Sequence, residues 1–163
     1  MDHVTPDQAH SFLERHAALM AASFRRWTGR ELLEPGPAPL PDALFEAPFT
    51  LVSHGTEPDP IFNYGNQTAL RLFQMEWEEF TRLPSRLSAE PVHRDDRQRL
   101  MDEVTRNGFI SDYRGVRVSR SGRRFFIEQA VVWNLVDDVG LIHGQAAMFR
   151  DWRFLDANEG RGT

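Results

Sequence analysis

Apolar residues recur at helical spacing from the start of the chain, where Phe12, Leu13, Ala17, Met20, Phe24 and Trp27 form one stripe. Thr5-Pro6-Asp7-Gln8 has the form of a capping box with proline at the first helical position, and Gly29 is a C-terminal stop. Arg25, Arg26 and Arg30 sit where the negative end of the helix dipole favours cations. This pattern predicts a helix of about six turns with one strongly apolar face. Such a face must be covered, either by the chain's own sheet or by a second copy. Residues 34–48 hold five prolines and read as a semi-extended strap with a turn of helix at Asp42 to Phe45.

Beyond the strap the period shortens. Phe49 to Ser53 predicts a strand, the loop His54 to Pro60 returns the chain, and Ile61 to Tyr64 predicts a second strand. That strand breaks into two small helices. Gly65 lets the backbone turn, Asn66 caps the helix opened by Gln67, and Ala69, Leu70 and Phe73 share one helical face, with Trp77 and Phe80 anchoring the next turn. A longer helix follows over Val92 to Asn107, with Leu100, Met101 and Val104 on its buried side and Gly108 ending it. From Phe109 onward the pattern is strand-like, over Phe109 to Arg120, Arg123 to Val136 and Leu141 to Trp152, with turns at Ser121-Gly122 and Asp137 to Gly140. In the middle strand Phe125, Ile127, Gln129, Val131 and Trp133 alternate with Phe126, Glu128, Ala130, Val132 and Asn134, so both faces carry large apolar groups and both need cover. The fold class is α+β: about five antiparallel strands, small helices on one face and the N-terminal amphipathic helix on the other.

Composition narrows the chemistry. A chain of 163 residues with 40% hydrophobic content suffices for one domain with a full core. There is no cysteine, and all 19 basic residues are arginine. The chain therefore has no disulfide, thiolate nucleophile, cysteinyl flavin adduct, Schiff-base lysine or P-loop lysine. A net charge of −5 argues against general binding to nucleic acid or an anionic membrane. No apolar run reaches the roughly 20 residues that span a bilayer, and the N-terminus lacks the regions of a signal peptide, so a cytoplasmic location is expected.

Five short features in order resemble a PAS-type sensory domain over about Pro48 to Trp152. They are the strand ending in Asn66; the pair Glu79-Phe80; the run His93-Arg94-Asp95-Asp96-Arg97 at the start of the long helix; Gly144 in the last strand; and, seven positions on, Asp151-Trp152. The stretches PFTLVSHGTEPDPIFNYGN and LPSRLSAEP are similar to the MEKHLA branch, which occurs at the C-terminus of plant class III homeodomain-leucine zipper factors and as free-standing bacterial proteins. Without a homeodomain or zipper, this sequence resembles the free-standing kind. It departs from the PAS pattern at Gln74, where glycine is usual, and at Arg94, where proline is, which leaves the turn between the small helices open. The resemblance divides the chain into an N-terminal helix and strap (1–47), a PAS-like domain (48–152) and a polar tail (153–163).

A PAS-like fold implies a pocket between the sheet and the small helices. Its candidate polar contacts are Asn63, Arg71, Arg86, Tyr113, Gln129, Trp133 and Gln145. Arg86 suits the clamping of a carboxylate or phosphate, or else an ion pair with Glu90 or Asp95. The guest expected is a non-covalent small molecule of unknown identity. Flavin could use the amides of Gln129, Asn134 or Gln145 and the face of Trp133, but Gln145 lies six residues before Asp151, away from the strand end where flavin-binding relatives place their glutamine. Haem is disfavoured because His93 sits at the start of the long helix rather than within it, and the remaining histidines show no metal-ligand spacing. Arg114, Arg117, Arg120, Arg123 and Arg124 crowd one hairpin, where they could contact phosphate or an acidic partner, and read in the first place as a solvated tip. Three classes of function follow in order. The first is a sensory module that signals through helix packing or dimerisation. The second is a ligand-free interaction or homodimerisation module, and the third a small enzyme using Asp112, Glu128 or Asp151 with His54 or His93.

Overall fold

In the computed structural model, which describes residues 6–89 and 94–155, the N-terminal stripe forms helix α1 (Pro6–Thr28) and the strap carries α2 (Leu40–Phe45). Strands β1 (Thr50–His54) and β2 (Phe62–Gly65) lead into α3 (Gln67–Phe73), α4 (Trp77–Phe80) and a 3-10 turn at Ser85–Ser88. After α5 (Arg94–Asn107) come β3 (Phe109–Val118), β4 (Arg124–Val136), β5 (Ile142–Phe149) and β6 (Asp151–Phe154). The sheet order is β2-β1-β5-β4-β3 with every pairing antiparallel. β5 and β6 lie end to end along β4 with only Arg150 between them, so the last of the five expected strands comes in two pieces and runs on to Phe154. The capping residue Thr5 and the positions of Glu90 and His93 fall outside the described residues.

Both sheet faces are covered, by different elements. Ala17, Met20 and Phe24 of α1 pack with Leu32 and Leu44 onto Leu51, Val131, Trp133 and Leu135. Burial of each large side chain in this layer contributes about 2 kcal/mol. The apolar stripe of α1 is thus spent on the chain's own sheet rather than on a second copy. Polar contacts also pin the helix there: Trp133 Nε1 donates to the Met20 carbonyl (3.2 Å), Trp27 Nε1 to the Asn134 carbonyl (3.0 Å), Ser23 Oγ to the Val136 carbonyl (3.1 Å), and the Val136 amide back to Ser23 Oγ (2.8 Å). On the other face Ala69, Leu72, Phe73 and Phe80 of the small helices pack against Val52, Phe62, Phe125, Ile127 and Phe149.

β4 serves both layers because its alternation changes phase. Glu128 and Gln129 together oppose the single residue Arg114 on β3, a β-bulge, and Gln129 takes φ 53°. Upstream, Phe125 and Ile127 face the small helices; downstream, Ala130 does so while Val131, Trp133 and Leu135 face α1. The strict alternation expected from the sequence therefore holds on each side of Gln129 but not across it. Near the far end Gly144 adopts φ 138°, and a Cβ there would lie 2.0 Å from the His54 carbonyl oxygen, so this close strand contact requires glycine.

The turn between the small helices resolves without the usual glycine. Gln74 itself takes the left-handed conformation (φ 62°) that ends α3, and its side-chain Oε1 accepts from the Ser121 amide at 3.1 Å. That bond offsets part of the roughly 1–2 kcal/mol that a non-glycine residue loses there. Asn66 holds the preceding corner. Fully buried, it accepts at Oδ1 from the Leu51 and Ala69 amides (both 3.1 Å) and donates from Nδ2 to the Leu44 and Phe49 carbonyls (3.1 and 2.9 Å). One amide therefore caps α3 and ties it to β1, α2 and the residue preceding β1.

Replacing this amide leaves buried donors and acceptors unpaired. Asn66→Ala is expected to lower unfolding free energy by at least about 3 kcal/mol in denaturant titration. Asn66→Asp offers no rescue, because a carboxylate cannot donate to the two carbonyls. A loss below about 1 kcal/mol for either variant would show that the corner does not depend on this side chain.

Candidate functional site

Between the sheet and the α3, 3-10 turn and α5 segments that cover it lies a chamber of ≈ 50 Å³, walled by Val52, Phe62, Phe73, Ile127, Val132 and Phe149. Its polar lining comes from Tyr113, Arg117, Gln145, His54 and Ser88. His54, Met101 and Gln145 also line an adjoining groove of ≈ 260 Å³ between α5 and the β1–β2 loop, which makes them the boundary between interior and surface. The chamber has room for a few water-sized groups, and the three fused rings of a flavin exceed it.

Two of the residues singled out from the sequence, Tyr113 and Gln145, meet in this lining. Gln145 is buried and its Nε2 approaches the Met101 carbonyl (3.1 Å), Thr105 Oγ1 (3.0 Å) and Asn134 Oδ1 (3.1 Å). Its Oε1 is buried without a hydrogen-bond partner among the described residues. Asn134 Nδ2 in turn donates to the Val104 carbonyl at 2.8 Å, so both amides bond α5 to the sheet.

The other five lie elsewhere. Arg71 is exposed on α3. Arg86, about half exposed, pairs with Asp59 at 3.1 Å, because the β1–β2 loop brings that acid alongside the 3-10 turn; Glu90, one of the two acids expected for it, lies outside the described residues. Gln129 projects to solvent from the bulge, and the phase change it creates turns Trp133 towards α1, where it meets Phe24 edge-on at 5.0 Å between ring centroids. Asn63 sits on the α1 side, accepting from Ser53 Oγ at 2.5 Å. Ser53 Oγ is also 2.7 Å from His16 Nε2. A hydroxyl has one proton and the Asn63 carbonyl oxygen can only accept, so His16 must be the donor through an Nε2–H tautomer. His16 is 6% exposed between Phe12 and Tyr64; burial, with the nearby His143 adding to it, pushes its pKa down to about 4. The same burial raises Tyr64.

The acids considered for catalysis, Asp112, Glu128 and Asp151, are exposed. Among the described residues no group of three or more His, Asp or Glu side chains could hold a metal ion, and no helix is long and apolar enough to cross a membrane. Sequence reasoning passed over Arg117, which it placed on a solvated tip. In the structure Arg114, Arg120 and Arg123 are exposed, whereas Arg117 and Arg124 are 8% and 4% exposed. The available signal was period two: Tyr113, Gly115 and Arg117 share one face of β3, so placing Tyr113 in the chamber places Arg117 there as well.

The profile of the MEKHLA domain matches residues 14–154. The homeobox-leucine zipper protein HOX32 of Oryza sativa subsp. indica is 26% identical over 147 residues, which cover 85% of this chain and 16% of that protein. The chain thus spans about one-sixth of the length of that relative. Among solved structures, the PAS domain of a protein from Colwellia psychrerythraea superposes with a TM-score of 0.59 at 13% identity, covering 70% of this chain and 92% of that one. The light-state dimer of the fungal blue-light photoreceptor Vivid gives 0.55 at 12% identity, covering 80% and 90%. At such identities these likenesses speak to the fold, which is PAS/LOV-like.

The buried His16 makes the seating of α1 pH-dependent. Its folded pKa near 4 lies below the unfolded value of 6.5, so the unfolded chain takes up the proton first as pH falls. Stability from this site is complete above about pH 6.5 and declines towards pH 4, by on the order of 3 kcal/mol. Melting profiles of wild type and His16→Asn are expected to converge over that interval. Parallel profiles would remove His16 as the cause.

Proposed function

The chain belongs to the MEKHLA domain family, and from that premise we propose that it is a sensory module that takes up a small molecule non-covalently and reports its presence through the packing of α1. The observation that carries this reading is the interior chamber of ≈ 50 Å³ on the helix-covered sheet face, apolar in its walls, polar in a few places and adjoining a surface groove. Gln145 Oε1, without a hydrogen-bond partner among the described residues, offers an acceptor at that boundary.

A physical route leads from the chamber to α1. Gln145 bonds the Asn134 side chain (3.1 Å), and the Asn134 backbone carbonyl accepts from Trp27 on α1 (3.0 Å). A guest that engages Gln145 competes with its bonds to α5 and to Asn134, and so shifts the balance between a tight and a loosened α5 and α1. Such a guest changes the population only by its difference in affinity for the two arrangements. A released α1 exposes Met20 and Phe24, which suit a second copy or a signalling partner better than water. Dimerisation therefore belongs to the loosened state in this reading. The turn between β4 and β5 supports a second reading, a constitutive interaction module, since Val139 and Leu141 are 87% and 60% exposed there.

Native mass spectrometry of gently purified protein is expected to reveal a non-covalent adduct, or a metabolite library to contain a member that raises the melting temperature by several degrees. Ala130, fully buried in the chamber wall, provides the control: Ala130→Val fills the space and is expected to abolish the effect while retaining the wild-type circular dichroism. A bare mass together with an inert library would discard the ligand-binding reading in favour of the interaction module.

A further inference from the structure

The chamber's charge is unbalanced. Arg117 is 8% exposed, yet no carboxylate lies within ion-pairing distance of it among the described residues. Exposed arginines of the same chain do have acids: Arg86 pairs with Asp59, and Arg120 with Glu79. A guanidinium stays protonated in any protein environment, and an uncompensated buried charge costs several kcal/mol.

The bonds Arg117 does make leave donors over. Nη1 donates to the Val116 carbonyl (3.0 Å) and Nη2 to the Tyr113 hydroxyl (2.8 Å), with the guanidinium carbon 5.3 Å from the centre of the Tyr113 ring. A guanidinium has five N–H groups. Because Tyr113 Oη accepts from Arg117, its own proton is free to be given away, and it has no acceptor among the described residues. Gly115 makes this arrangement possible: a Cβ there would stand 2.6 Å from Tyr113 Oη and 3.4 Å from Arg117 Nη1. An arginine and a phenol that both offer protons from one strand face, with no acid opposite, select for an anion. The walls beside this pair select for hydrocarbon, since Phe73, Ile127, Ala130 and Phe149 offer no polar side-chain atom, while Gln145, His54 and Ser88 supply the remaining polar lining.

Resting on the ligand-binding reading above and narrowing it, we infer that the guest is a small organic acid, its carboxylate seated on Arg117 and Tyr113 and its short apolar body against Ile127 and Phe149. The chamber's size limits that body to a few carbons unless α5 moves. Gln145 lies towards the other end of the cavity, pairing with Asn134 on β4 where Arg117 pairs with Phe125, so the acid's head points away from the groove. A carboxylate in this seat supplies the missing negative charge and receives the Tyr113 proton in a hydrogen bond.

The test compares acids with neutral amides of the same shape, butyrate with butyramide and propionate with propionamide, at constant ionic strength and pH 7.5. Thermal shift and the NMR signal of the Arg117 Nε–H are the readouts. Either acid is expected to raise the melting temperature and move that signal, and its amide to do neither. Arg117→Met is expected to weaken acid binding at least about tenfold, and Tyr113→Phe several-fold. Should Arg117→Met fail to fold, the acid–amide comparison on wild type and the Tyr113→Phe variant still decide. Equal binding of acid and amide overturns the inference while leaving a ligand-binding chamber in place. Stabilisation by inorganic phosphate as strong as by butyrate overturns the organic part. Absence of any response to both acids overturns the inference outright, and the fate of the broader reading then lies with the adduct and Ala130→Val results.

Discussion

Asn66 is the constraint on which the rest of the structure depends. Its single buried amide satisfies two donors and two acceptors from three separate elements and the residue preceding β1, at distances of 2.9–3.1 Å. A strand that stops in the middle of a sheet edge and turns at once into a helix leaves backbone groups exposed on both sides of the turn. Water cannot reach them once the small helices cover the sheet. Asparagine is the side chain short enough to stay in the corner and able both to accept and to donate there. The position of α3 and α4 over the sheet, and hence the roof of the chamber, follows from that choice.

The second organising feature is the two-sided sheet. Covering one face with α1 and the other with the small helices gives β4 a different neighbour on each side, and the bulge at Gln129 determines which residues meet which layer. The same strand thus touches the chamber through Ile127, Ala130 and Val132 and the helix through Val131, Trp133 and Leu135. Chamber and helix are two sides of one layer about a strand thick.

The polar network follows the same geometry. His16, Ser53 and Asn63 line up on the α1 side, Gln145 and Asn134 join the chamber to α5, and Arg117 with Tyr113 forms the charged end of the cavity. His16 bonds α1 to the sheet and Gln145 with Asn134 bonds α5 to it, whereas Arg117 and Tyr113 join two positions of β3 itself. Contacts of that kind can be exchanged for ligand or solvent contacts at modest cost, which apolar packing cannot.

The sequence by itself determined the element order, the α+β class, the apolar helix on one face and the capping role of Asn66, because these rest on local periodicity and on backbone groups that must be satisfied nearby. The PAS resemblance also offered Tyr113 and Gln145 among seven candidate pocket contacts, and these two line the chamber. The sequence could not place Gln129, Trp133 or Asn63, since one inserted residue in β4 and a register shift between β1 and β2 reverse or redirect a side chain without leaving a local mark. Only the tertiary structure decided that Arg117 is buried and Arg86 is not. What separates them is their place in the fold: Arg117 shares the chamber-facing side of β3 with Tyr113, whereas Arg86 sits in the 3-10 turn beside Asp59 of the β1–β2 loop.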